Sequence, residues 1–116
     1  MAKTQFAVEL GMGTDLRGED YTKAACKAVR DAIHRNFLNL SGAFGLPREA
    51  MIIDVRIGVQ NPGAVRKEDV ARELPYGVVQ VESVFGGMNI EIEGTVVVVA
   101  NAIVAVSYDI EQEQLK

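Results

Sequence analysis

Residues 4–10 alternate along the chain. Phe6, Val8 and Leu10 fall on one side, and Gln5, Ala7 and Glu9 on the other. A period of two sends successive side chains to opposite faces, so this segment is predicted as a half-buried strand. The glycine-punctuated residues 11–19 break the pattern and read as a loop. From residue 21 to about residue 36 the spacing becomes helical, with Ala25, Ala28, Val29, Ala32 and Ile33 on one stripe. Asp20 is the expected N-cap, with Thr22 as a rival. A stripe so rich in alanine predicts a helix that packs closely on a sheet.

Residues 37–48 form a connector broken by Gly42, Gly45 and Pro47. Alternation returns over residues 50–60. Met51, Ile53, Val55, Ile57 and Val59 share one face, with Asp54 and Arg56 on the opposite one. Asn61-Pro62-Gly63 stops this strand with turn chemistry. Residues 67–74 fit a short helix with Val70, Ala71 and Leu74 inward, ended by Pro75 and Gly77. Residues 78–92 form a long strand-like run, where Gly86-Gly87 predicts a bulge or a break. Glu93-Gly94 is a hairpin turn. Residues 95–108 are apolar on both faces, so this strand is central or is covered on its second face by another subunit. Residues 110–116 read as a short polar tail that frays. The predicted fold is α+β with the order β-α-β-α-β-β, a mixed four-stranded sheet carrying both helices on one face. It is expected to form a single domain over residues 1–116.

Two helices cover one side of such a sheet. The valine-rich last strand leaves a second side that water cannot wet cheaply, and large apolar patches mark interfaces. A homo-oligomer with facing sheets is therefore expected. The competing arrangement is a monomer whose 37–48 connector folds over the open side. Asn101, inside the apolar strand, either finds a polar partner there or sits at a position that water reaches.

Composition narrows the function classes. The chain has 116 residues, 48% hydrophobic and 24% charged, with a formal net charge of -4. The basic residues form no stripe, so nucleic acid is not an expected partner. The longest apolar run is shorter than the about 20 residues of a membrane helix, and its consecutive valines favour strand. The N-terminus shows no signal-peptide pattern, and Cys26 is the single cysteine. These features fit a cytoplasmic protein with no membrane association.

Candidate chemistry concentrates in the first loop. Gly11-x-Gly13 follows a strand and precedes a helix, a context suited to anions. Arg17 adds a bidentate anion contact and Asp15 an acceptor. The dinucleotide spacing fails because Leu16 stands where the third glycine belongs, and Gly18 comes too late. Asp15, Glu19 and Asp20 add negative charge against a phosphate. One carboxylate is not a metal site, and Cys26 and His34 lie too far apart along the helix to share an ion. No metal and no cofactor is expected. Two readings of the loop stand side by side. In one, Gly11, Gly13, Asp15, Arg17 and Gly18, with Asn89 from the Gly86-Gly87 break, bind a small polar metabolite near a subunit boundary. In the other, Asp15 accepts backbone N–H groups of its own turn and Asp20 caps the helix, and the chain is a non-catalytic assembly or regulatory module. Asp54 and Arg56 share a strand face and either pair or line a cleft. Ser41, Ser83 and Ser107 have no histidine near them in sequence, so no serine triad is legible. Whether the chain is an enzyme is left open by these residues.

The stretch Gly11-Met12-Gly13-Thr14-Asp15-Leu16-Arg17-Gly18 resembles the Gly-x-Gly-x-Asp-x-His-Gly signature of a small uncharacterised family of conserved bacterial proteins, with plant members carrying a long N-terminal extension. The resemblance extends over most of the chain, including Thr22-Lys23-Ala24-Ala25. Gly11, Gly13, Asp15 and Gly18 match, and Arg17 replaces the signature histidine. The family implies no activity. The element order is similar to trimeric folds of the chorismate-mutase-like class, which implies a trimer or a multiple of one. Methylerythritol cyclodiphosphate synthases of that class bind zinc through Asp-x-His. Arg17 stays protonated and cannot ligate a metal, so that chemistry does not carry over.

Overall fold

The computed structural model describes residues 2–34 and 45–110. Strand β1 spans Ala2–Asp15, helix α1 Tyr21–Ile33, β2 Ile52–Val59 and the short helix α2 Lys67–Ala71. Strands β3 (Val78–Phe85), β4 (Met88–Ile92) and β5 (Thr95–Ile110) complete the chain. Single 3-10 turns at Arg48–Ala50 and Pro62–Ala64 precede β2 and α2. The order is thus β-α-β-α-β-β-β. The expected connector falls mostly, and the expected tail wholly past residue 110, outside the described residues. Whether the connector covers the sheet lies there too.

The strands form one mixed sheet in the order β1-β5-β2-β3, with β4 added to the start of β5. The long β5 runs antiparallel to β1, β2 and β4, while β2 and β3 are parallel. Its place at the centre accounts for the apolar side turned to the helices, while Val97, Val99 and Ile103 lie on the other, open side. Val98, Ala100, Ala102, Val104 and Val106 face the core, as do Met51, Ile53, Val55, Ile57 and Val59 from the β2 segment. Helix α1 lays Ala24, Ala25, Ala28, Val29 and Ala32 onto β1 and β5. Helix α2 sits beside it against β3, with Val70 buried.

Three expectations need correction. Strand β1 does not stop at Leu10 but continues to Asp15. Its pairing with β5 shifts between Gln5 and Ala7, a bulge that turns the later residues over. Beyond it Gly11, Gly13 and Asp15 oppose the core residues Ala102, Ala100 and Val98. Val8, Leu10 and Met12 therefore point away from the helices and are exposed. Last, the run 78–92 is two strands, so the sheet has five strands and not four. At Gly86-Gly87 the chain leaves β2 and crosses to β5.

That crossing has a steric cause. The backbones of Gly58 and Gly86 approach so closely that a Cβ on Gly86 would lie 3.1 Å from Gly58 Cα. Gly87 has φ +57°, and a Cβ there would overlap the carbonyl oxygen of Val99. The Gln60 amide ties the crossing by donating to the carbonyls of Gly86 and Gly87, at 3.0 and 3.3 Å. Glu93 and Gly94, both at positive φ, close the β4–β5 hairpin.

Candidate functional site

The first two signature glycines are strand residues, and the helix explains them. A Cβ on Gly11 would overlap the backbone of Ala28 and Ala32, and one on Gly13 the backbone of Ala24 and Ala28. Two glycines on the strand and three alanines on the helix let backbone meet backbone.

This contact sets Asp15 at the start of α1. Asp15 is 3% exposed, and its carboxylate accepts the Asp20 N–H at 2.9 Å. The Lys23 ammonium stands 3.9 Å from its other oxygen. Asp20 in turn accepts the Lys23 N–H at 3.0 Å and caps the helix as expected. Asp15 so closes the 16–20 turn on itself, with Gly18 and Glu19 at positive φ. Arg17 and Gly18 are exposed, and Arg17 forms no ion pair among the described residues. Asn89 comes to the same end of α1, donating its amide to the Tyr21 hydroxyl at 2.7 Å. Of the expected ligand-binding residues, Gly13, Asp15 and Asn89 thus gather at the helix start. Gly11 lies one helical turn further along, and Arg17 and Gly18 sit on the turn outside.

Other groups have structural partners. The outer edge of β1 is engaged by α1: Met12 N–H donates to Asp31 at 2.9 Å, and Lys27 donates to the Thr14 carbonyl at 3.1 Å. Thr22 accepts the Arg66 N–H and donates to the Ala64 carbonyl, fastening α1 to the turn before α2. Cys26 is buried, its sulfur 3.7 Å from the Asp69 carbonyl. Burial, with Glu73 adding, raises its thiol pKa above the ordinary value. His34 is exposed at the end of α1. Ser83 donates to the Pro62 carbonyl at 2.9 Å, Ser107 is buried, and Ser41 lies outside the described residues. Among the described residues no group of three or more His, Cys, Asp or Glu converges as a metal site, and no helix is long and apolar enough to cross a membrane.

The sheet face turned away from the helices carries the larger feature. One part is apolar, with Leu10, Met12, Met88, Ile90, Ile92 and Ile103 exposed. Asn101 lies exposed among them, between Met12 and Gly58 in the pairing, at a position that water reaches. The other part is an open cleft of about 780 Å³. Its walls bear two ion pairs, Lys3–Asp54 at 2.7 Å and Arg56–Glu82 at 3.4 Å. Gln80 and the small Ala105 line it as well. The shared strand face of Asp54 and Arg56 marks this cleft in the sequence. Lys3, Gln80 and Glu82 were not singled out there. The signal for the last two is the alternation within β3, which becomes decisive only once β3 is known to lie parallel to β2 in register Asp54–Gln80 and Arg56–Glu82.

A family model described as "Conserved hypothetical protein (Lin0512_fam)" matches residues 5–106. Among solved structures, the crystal structure of an FtsZ-like protein of unknown function from Nostoc punctiforme is similar, with 32% identity and a TM-score of 0.84. That match covers 95% of this chain and 99% of the other. No curated protein matches.

Proposed function

The chain belongs to the conserved hypothetical protein family Lin0512_fam, and from that premise we propose that it is a self-assembling module whose open sheet face binds further copies of itself. The observation that carries the reading is the row of large apolar side chains on one face of one sheet, opposite the face that the helices cover. Val8, Leu10, Met12, Met88, Ile90, Ile92 and Ile103 are between 41% and 70% exposed. Fully burying such a side chain contributes about 1.5–3 kcal/mol, so covering the exposed half of seven contributes roughly 5–10 kcal/mol. Association costs about 4–15 kcal/mol in lost freedom. Both partners of a face-to-face contact gain this, roughly 10–20 kcal/mol together, which is more than the middle of that cost.

A trimer is the expected count, from the similarity of the sequence-predicted order β-α-β-α-β-β to trimeric folds. Native mass spectrometry of freshly purified protein tests the assembly. A multiple of the chain mass is expected, and Leu10→Glu is expected to return the monomer with its fold intact. A wild-type protein that stays monomeric at about 100 μM, a concentration at which a pairwise contact of about −8 kcal/mol is largely formed, overturns the reading.

A second reading is favoured by the convergence of Asn89 on Tyr21 beside Asp15. Here the 15–20 turn and Asn89 bind a small polar metabolite, with Arg17 as the anion contact. The bond from Asp20 N–H to Asp15 fits the purely structural role better, because it occupies the acceptor from within the turn. Loss of a co-purifying small molecule in Arg17→Ala, at unchanged subunit count, would promote this second reading.

A further inference from the structure

The cleft on the open sheet face has a cause in the sequence. Ala105 sits in β5 directly between Val8 of β1 and Asp54 of β2. Its methyl group leaves a depression among long neighbours. Ile103, one pleat away in line with Arg56, supplies an apolar flank. Around this apolar floor stand an ammonium, a guanidinium and two carboxylates, with a neutral amide at Gln80.

The charges sum to zero, and that discriminates among ligands. Each cation already has a carboxylate beside it, so a phosphate or polyanion meets as much repulsion as attraction. An uncharged apolar molecule would find only a small floor and a charged rim. Both ion pairs are largely solvent-exposed, and exposed pairs are weak. A molecule carrying both signs can open them at little cost, because each freed group receives a new partner of opposite charge. The volume is of the size that holds small-molecule ligands.

The geometry points to a binding site for a small zwitterion with an apolar substituent, of amino-acid to dipeptide size. Its carboxylate meets Arg56 or Lys3, its ammonium meets Asp54 or Glu82, and its side chain rests on Ala105 and Ile103. The site is complete within one chain; it shares Ile103 with the apolar row of the assembly reading, so it is open in the separated chain.

Backbone amide shifts on isotope-labelled full-length protein test it, with L-leucine, L-leucyl-L-leucine, the uncharged N-acetyl-L-leucinamide and inorganic phosphate as probes. The titrations are run on the wild type and on Leu10→Glu, so that a covered face and an inert cleft are told apart. Saturable shifts at Asp54, Arg56, Gln80 and Ala105 are expected with a zwitterion in at least one of the two proteins, at millimolar concentration or below. Leucine or the dipeptide as the tighter probe sets the size of the ligand. Arg56→Ala and Asp54→Asn should each weaken binding about tenfold, equivalent to about 1.4 kcal/mol, with the melting temperature unchanged. Glu82→Gln serves as the second carboxylate variant if Asp54→Asn disturbs the fold. The absence of saturable shifts in both proteins overturns the proposal. So does binding of the uncharged analogue or of phosphate as tight as that of either zwitterion, or binding unaffected by the variants.

Discussion

At Gly11 and Gly13 a single methyl group has nowhere to go, because the obstacle is helix backbone and not a movable side chain. Gly11→Ala and Gly13→Ala are each expected to lower stability by about 1–3 kcal/mol, the usual range for overpacking, as read by urea denaturation. Gly18→Ala meets open space, and its cost is confined to the positive φ of that position. Asp15→Ala strands the Asp20 N–H and should cost about 1–3 kcal/mol, while Arg17→Ala, on an exposed side chain, should leave the same urea midpoint within error. Burial keeps Cys26 protonated and shielded, so it should react with a disulfide reagent at pH 8 far more slowly than a free thiol does. The cap at Asp20 was legible from its place before an alanine stripe. The meaning of the two glycines was not. Gly-x-Gly before a helix reads equally well as a phosphate loop or as a helix seat, and only the pairing of Gly11 with Ala102 and Gly13 with Ala100 separates them.

Among the elements, α1 and the segment of β2 were legible because each keeps one period without interruption. β1 was misread in extent and in facing for one shared reason. Its alternation of Phe6, Val8 and Leu10 is real, but the bulge after Gln5 rotates the strand, and the inward positions are then filled by Ala7, Glu9, Gly11, Gly13 and Asp15. Burial by backbone contact leaves no hydrophobic signature. The split between β3 and β4 hides similarly behind two glycines whose constraint is a crossing of chains. Gly87→Ala should damage that crossing selectively, since both its φ and the Val99 carbonyl oppose a side chain. Hydrogen exchange is expected to accelerate in β4 and in residues 95–99 of β5 while α1 and β2 keep wild-type protection. Uniform acceleration would show that the β4–β5 ribbon is not separable from the body.

For the molecule as a whole, the two faces of the sheet are treated differently. One lies under alanine-lined helices and is dry. The other is half apolar and half a neutral lattice of charges. An apolar open face was legible from the valines of β5: Val98, Val104 and Val106 face inward, and Val97 and Val99 lie on the side turned away from the helices. The exposed row draws instead on Leu10, Met12, Met88 and Ile103, from strands whose order no local pattern reveals. Ile103→Lys should dissociate the proposed assembly, as is expected of Leu10→Glu, with size-exclusion light scattering as the measure. Its effect on melting of the separated subunit should be small, because the side chain lies on the open face.

The side chains of Asp31 and Lys27 stand where an incoming strand would need the Met12 N–H and the Thr14 carbonyl. An intruding backbone would have to evict both to pair at Met12 and Thr14, so this end of the β1 rim is guarded against templated growth. In the proposed assembly this leaves face-on-face stacking as the favoured contact, because edge pairing at this part of β1 is opposed. Replacing both residues by alanine should unseal the rim, visible as thioflavin-positive aggregation under conditions where the parent chain stays clear.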